Sequence, residues 1–85
     1  MQTFQYVIKD PDGLHARPAG LLVKCAQGFA SSVSISGNGK TADAKRLFAV
    51  MGLGVKQNDE ITFMIEGPDE TANSVTLKAF CRENI

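Results

Sequence analysis

The chain has 85 residues, nine lysines and arginines against nine aspartates and glutamates, one histidine, and 44% hydrophobic residues. That length predicts one domain spanning 1–85 with a modest core, and the composition is not that of a disordered chain. Balanced charge argues against a general nucleic-acid or membrane-surface binder, and no apolar run approaches the ~20 residues that a membrane span needs.

The segment Met1–Tyr6 carries no basic stretch followed by an apolar one, so no signal peptide and a cytoplasmic location are expected. Phe4, Tyr6 and Ile8 alternate with Thr3, Gln5 and Val7, which predicts a strand with the first three facing a core. Asp10-Pro11-Asp12-Gly13 is a turn signal. From Ala16 to about Gly28 the spacing of Ala19, Leu22, Ala26 and Phe29 is helical, with Leu21 and Cys25 beside them. Pro18 fits only in the first turn, so the helix starts near His15 and stops at Gly28. Cys25 and Cys81 are expected to be buried thiols, not a disulfide.

Ser32-Val33-Ser34-Ile35-Ser36 alternates strictly and predicts a second strand. Gly37-Asn38-Gly39 predicts a tight turn, after which Lys40 to Asp43 return antiparallel. Lys45 to Leu53 reads as a short helix ending at Gly54, with Leu47, Val50 and Met51 on one face. Ile61, Phe63 and Ile65 mark a fourth strand, broken by Gly67-Pro68-Asp69. Asp69 is the candidate N-cap of a last helix carrying Ala72, Val75, Ala79 and Phe80 at helical spacing. The order is βαββαβα, an α+β layer structure with helices on one face of a largely antiparallel sheet. The chain has no internal repeat, linker or low-complexity stretch.

His15 sits at the predicted loop-to-helix junction in Gly13-Leu14-His15-Ala16-Arg17-Pro18-Ala19. A neutral imidazole is a nucleophile, and the positive end of a helix disfavours its protonation. A phosphoryl group on that ring would meet the first-turn amides of Ala16 and Arg17, since Pro18 has none to give. Arg17 adds a charge-assisted donor, and Gly13 is expected to turn the loop tightly and leave room for a partner. Positioning and electrostatic stabilisation are most of what phosphoryl transfer requires. The plainer alternative is a surface histidine, with Arg17 paired to Asp10 or Asp12 for ~0–1 kcal/mol. One histidine and two scattered cysteines make no zinc set.

These seven residues resemble the active-site segment of the HPr family, the histidine-containing phosphocarriers of the bacterial phosphoenolpyruvate-dependent sugar phosphotransferase system. All seven match the family's motif at the expected place between first strand and first helix. The resemblance extends to length, element order and the segment Leu53-Gly54-Val55-Lys56-Gln57-Asn58-Asp59-Glu60-Ile61-Thr62, hence to essentially the whole chain. It implies an open-faced β-sandwich, a four-stranded antiparallel sheet covered on one face by three helices. It implies a carrier and not an enzyme: His15 accepts a phosphoryl group on Nδ1 from phosphorylated enzyme I and passes it to the IIA domain of a sugar permease. The carrier would need no metal or cofactor, although enzyme I uses magnesium. A monomer is the default for a carrier that shows one face to successive partners.

A relay surface calls for an apolar patch with a charged rim. Leu47, Phe48 and Met51 cannot all face the core of so small a domain, and Phe48 is the residue expected to be exposed. The matching family positions form a docking patch. Lys24, Lys45 and Arg46 would add positive charge for acidic partners, and Gly20 would allow close approach. The plain reading is a core Phe48 and solvated lysines. Many family members carry a regulatory serine directly after the lysine that opens the second helix; here Arg46 stands there. Arginine cannot take that phosphate and caps a helix poorly, so Asp43 is the candidate cap if the helix begins earlier.

Two other readings differ in class. A regulatory paralogue would be phosphorylated on His15 but signal to a regulator or a nitrogen-related branch. A small RNA-binding module would need aromatic residues on an open sheet face and a basic surface, whereas Phe4, Tyr6 and Phe63 are assigned to the core side.

Overall fold

The computed structural model describes residues 1–85. The elements are β1 (Gln2–Val7), α1 (Ala16–Gln27), β2 (Ser32–Gly37), β3 (Lys40–Asp43), α2 (Leu47–Met51), β4 (Glu60–Glu66) and α3 (Glu70–Asn84), in the predicted βαββαβα order. The strands form one antiparallel sheet in the order β1-β4-β2-β3. The three helices lie over one face, giving the open-faced sandwich.

Strand alternation decides which side is packed. Phe4, Val33, Ile35, Ile61, Phe63 and Ile65 are buried under the helices. Phe4 and Phe63 lie directly opposite each other in the register, with ring centroids 5.2 Å apart and planes tilted by 31°. The other face carries Thr3, Gln5, Ser34, Thr62 and Met64, and no aromatic residue, which removes the stacking platform an RNA-binding sheet would need. At the β2–β3 turn, Asn38 and Gly39 both have positive φ, 53° and 76°, as the type I′ hairpin requires.

Three readings are corrected. The second helix covers five residues, not Lys45 to Leu53. It ends at Gly52, and Leu53 turns inward to join the core. It starts late because the Asp43 carboxylate accepts the Lys45 N–H at 2.9 Å, an Asx turn that holds the chain out of helix up to Arg46. In α3 the buried face is Asn73, Ser74, Leu77 and Cys81, whereas Ala72 and Val75 are exposed. The helix is rotated because Asn73 Nδ2 donates to buried Ser31 Oγ at 3.0 Å, a polar pair that apolar spacing does not reveal. Asp69 is the N-cap residue of α3 by position, but its side chain caps no amide.

No helix is long and apolar enough to cross a membrane. Both cysteines are free thiols. Cys81 is fully buried, and desolvation pushes its pKa up to about 12, with nearby Cys25 adding to the rise. Half-buried Cys25 is also raised by desolvation. Near neutral pH Cys81 is therefore held as the unreactive thiol. In the native protein Cys25 should react first with an aromatic disulfide reagent, and Cys81 only after unfolding in guanidinium. Equal native rates for the two thiols would contradict this packing.

Candidate functional site

The loop between β1 and α1 is fixed by parts of the chain far away in sequence. Ile8 N–H donates to Asp59 O at 3.0 Å, and Asn58 N–H returns to Ile8 O at 2.8 Å. Lys9 and Asp10 N–H both donate to Ile85 O, at 2.8 and 3.0 Å. Leu14 N–H donates to Val55 O at 3.1 Å, and its side chain is buried. Within the loop, Gly13 N–H closes a turn onto Asp10 O, and Asp12 N–H donates to Asp10 Oδ1 at 2.9 Å.

Gly13 has a φ of 69°, and a Cβ there would lie 2.5 Å from Val55 O and 2.7 Å from Lys56 Cα. The turn expected of this glycine is present. The space beside it is filled by the molecule's own backbone, so it is not room for a partner.

His15 is the N-cap residue of α1, with extended backbone at φ −83° and ψ −175°. Its carbonyl accepts the Ala19 N–H at 2.9 Å, while its ring makes no capping bond and is 39% exposed. The N–H groups of Ala16 and Arg17 have no protein acceptor, as the first turn of a helix dictates. Pro18 is buried in that turn, and no acidic residue belongs to it. Arg17 is exposed and forms no ion pair, so the pairing with Asp10 or Asp12 is not made. Instead Asp10 Oδ2 stands 3.7 Å from His15 Nε2, a charge-contact distance and not a hydrogen bond. The ring opens on a cleft of about 380 Å³ bordered by Asp10, Asp12, Arg17, Leu21 and Glu83.

Asp10, Asp12 and His15 each bring one potential ligand atom within 4.8 Å of the others. A count of histidines and cysteines passes over such a group. Its carboxylates already serve the loop, since Asp10 accepts the Asp12 amide and faces the imidazole.

The second helix supplies the apolar patch. Phe48 is 84% exposed, as expected, and Met51 is 37% exposed. Leu47 is half-buried against the core, and Val50 is the residue that anchors the helix. Gly20 is open, with nothing near the position of a Cβ. Lys24 is exposed in the last turn of α1. Lys45 is not a free rim cation: its ammonium donates to Phe29 O at 2.9 Å, and its carbonyl accepts Gln27 Nε2 at 3.0 Å, tying α2's approach to the end of α1. Arg46 is exposed at the N-cap of α2 without capping it.

Leu21 is the residue that spacing misplaced. Helical spacing sets it beside the core-facing residues, yet it is 44% exposed and borders the His15 cleft. Its one signal is position, since a residue four beyond Arg17 lies on the same helix face. Asp10, read as a turn former, also faces the ring.

The fit of Gly13 yields a test of the loop. Gly13→Ala should lower unfolding free energy by at least about 1–3 kcal/mol, because it combines a left-handed backbone with a backbone clash. Urea denaturation measures this, and an unchanged midpoint would show that the 55–56 contact is not fixed.

The family described as the PTS HPr component phosphorylation site matches residues 2–83. The chain is 52% identical over 73 residues to the phosphocarrier protein HPr of Buchnera aphidicola subsp. Baizongia pistaciae, covering 86% of each. The structure of a Mycoplasma histidine-containing phosphocarrier protein superposes with a TM-score of 0.92 at 34% identity, over 96% of this chain and 93% of that one. An HPr dimer from Thermoanaerobacter tengcongensis superposes with a TM-score of 0.76 at 34% identity, over 98% and 95%. The chain belongs to the HPr family, the phosphocarrier components of the phosphotransferase system, which relay a phosphoryl group and are not independent enzymes.

Proposed function

We propose that His15 Nδ1 is the phosphoryl acceptor, charged by phosphorylated enzyme I and discharged to IIA domains of sugar permeases. The observation that carries this reading is the pair of unpartnered amides at Ala16 and Arg17 beside an accessible ring, with an unpaired guanidinium on the same turn. The negative charge of Asp10, 3.7 Å from Nε2, favours the tautomer with its proton on that nitrogen, which leaves the Nδ1 lone pair to attack. As the Nδ1–P bond forms, the P–N bond to the donor histidine breaks, and its electron pair returns to the donor ring. The phosphoryl oxygens then receive the two amides and Arg17. Discharge to the acceptor is the same step in reverse.

Phe48, with Met51 and Leu47 beside it and Gly20 open, is the docking patch in this reading; Lys24 and Arg46 form its positive rim. Lys45 serves it indirectly, by fixing α2 against α1. The carrier works as a monomer in the cytoplasm. The Thermoanaerobacter dimer does not set the state of this chain.

Mixed with enzyme I and phosphoenolpyruvate, the protein should gain an acid-labile phosphoryl adduct that His15→Ala abolishes. Arg17→Gln should slow transfer about tenfold or more with stability unchanged. Phe48→Ala should weaken enzyme I binding by about tenfold while altering stability by less than about 0.5 kcal/mol. An adduct that persists in His15→Ala would refute the assignment.

Arg46 carries a second element of the proposal, that the transport relay operates here without serine-dependent control. Position 46 offers no hydroxyl at the start of α2, and the nearby Thr41 hydroxyl is hydrogen-bonded to Ser36 Oγ at 2.9 Å. Incubation with the family's regulatory kinase and ATP should leave the protein unmodified by mass spectrometry. Stoichiometric phosphoserine anywhere in the chain would overturn this element and leave the His15 assignment standing.

A further inference from the structure

A second built surface lies on the edge of the sheet, outside the His15 cleft. β1 is a terminal strand and has no neighbour beyond it. Ile8 N–H points toward the β4 side, to Asp59 O. By antiparallel alternation, the main-chain groups of Thr3, Gln5 and Val7 therefore point to the open edge. Gln2–Val7 contains no charge, proline or bulge, the devices that ordinarily block such an edge. The opposite edge, β3, does carry charges, Lys40 and Asp43.

α3 runs alongside β1 in the same direction. Gln2 Nε2 donates to Thr71 Oγ1 at 3.4 Å at one end, Lys78 Nζ stands 5.3 Å from the Phe4 ring centroid, and Lys9 N–H reaches Ile85 O at the other end. Between strand and helix is a groove of about 400 Å³ with Phe4, Tyr6 and Val7 along the strand side. Its cations are Lys9, Lys78 and Arg82, and none has a carboxylate within salt-bridge distance. Lys78 and Arg82 are one helical turn apart, ~6 Å along the axis, close to the ~6.8 Å between same-face residues of a strand.

We propose that this groove docks an extended acidic segment of a partner protein, which adds to β1 as a fifth strand and sets alternate carboxylates against Lys78 and Arg82. The open main-chain edge supplies affinity, and the cation spacing selects an acidic-x-acidic pattern. Charge complementarity argues for this occupant over a second copy of the chain, whose own β1 carries no acid. The surface is separate from the Phe48 patch, so its occupation does not depend on the role assigned to His15.

The test uses the full-length, nitrogen-15-labelled protein and a blocked peptide, Thr-Glu-Val-Glu-Val-Thr. Amide shifts should concentrate on Thr3, Gln5, Val7 and the 78–82 turn, and hydrogen exchange at the three strand amides should slow. The peptide with both glutamates replaced by glutamine should bind about tenfold more weakly, and Lys78→Gln/Arg82→Gln should cost the same factor. His15→Ala should bind as the wild type does. Equal binding of the glutamine peptide, or shifts confined to α1 and α2, would overturn the proposal. So would the same shifts produced by inorganic phosphate alone, which would mark a small-anion site, or closure of the edge by a second copy in sedimentation.

Discussion

Residues 8–14 have no regular structure of their own, and the position of the imidazole rests on how they are held. Main-chain bonds from Ile8, Lys9, Asp10 and Leu14 reach Val55 and Asp59 in one segment and Ile85 at the C-terminus, so two distant parts of the chain fix one loop. The Leu53–Thr62 segment, which shares the family's sequence pattern without carrying reactive side chains, thereby gains a physical reason. Val55 O receives the residue before His15, and Asp59 both receives Ile8 and folds its own turn through the Lys56 amide. Asn38 Nδ2 ties the same segment to the hairpin through Leu53 O and Gly54 O, at 3.0 and 2.9 Å. The backbone from which the ring projects is thus placed by main-chain bonds on both sides of the loop.

The electrostatics at the junction run in two directions. Two free amides, the helix end and Arg17 attract an anion, whereas Asp10 and Asp12 repel one. In the proposed relay both are useful. The attraction makes a phosphorylated ring attainable, and the repulsion keeps it from becoming a sink. A pure anion trap would accept the group and hold it.

Much of this was legible in the sequence. Strict alternation in Ser32–Ser36 and Phe4–Ile8 assigned the core face of the sheet, and Pro18 located the start of α1 within a residue. The Gly13–Ala19 string located the candidate site, and the exposure of Phe48 followed from the limited capacity of a small core. What failed depended on specific hydrogen bonds, some local and some across the fold. The face of α3 is set by the Asn73–Ser31 hydrogen bond between residues 42 apart. The start of α2 is set by Asp43 and by Lys45 reaching Phe29. The approach of Asp10 to Nε2 comes from a turn whose shape is held by Ile85 and Val55. Periodicity carries no information about such partners.

Pro18 has a consequence for the timing of a relay. A terminal phosphoryl group presents three oxygens, and the start of α1 offers only two main-chain donors because the third residue of the helix has no N–H. One oxygen is left to Arg17, whose side chain is exposed and unpaired, or to whatever protein is bound at that moment. In the proposed relay the main chain alone thus cannot bond all three oxygens. Each visiting protein in that relay can add a donor of its own, so the geometry of hand-over is finished only while two proteins are in contact.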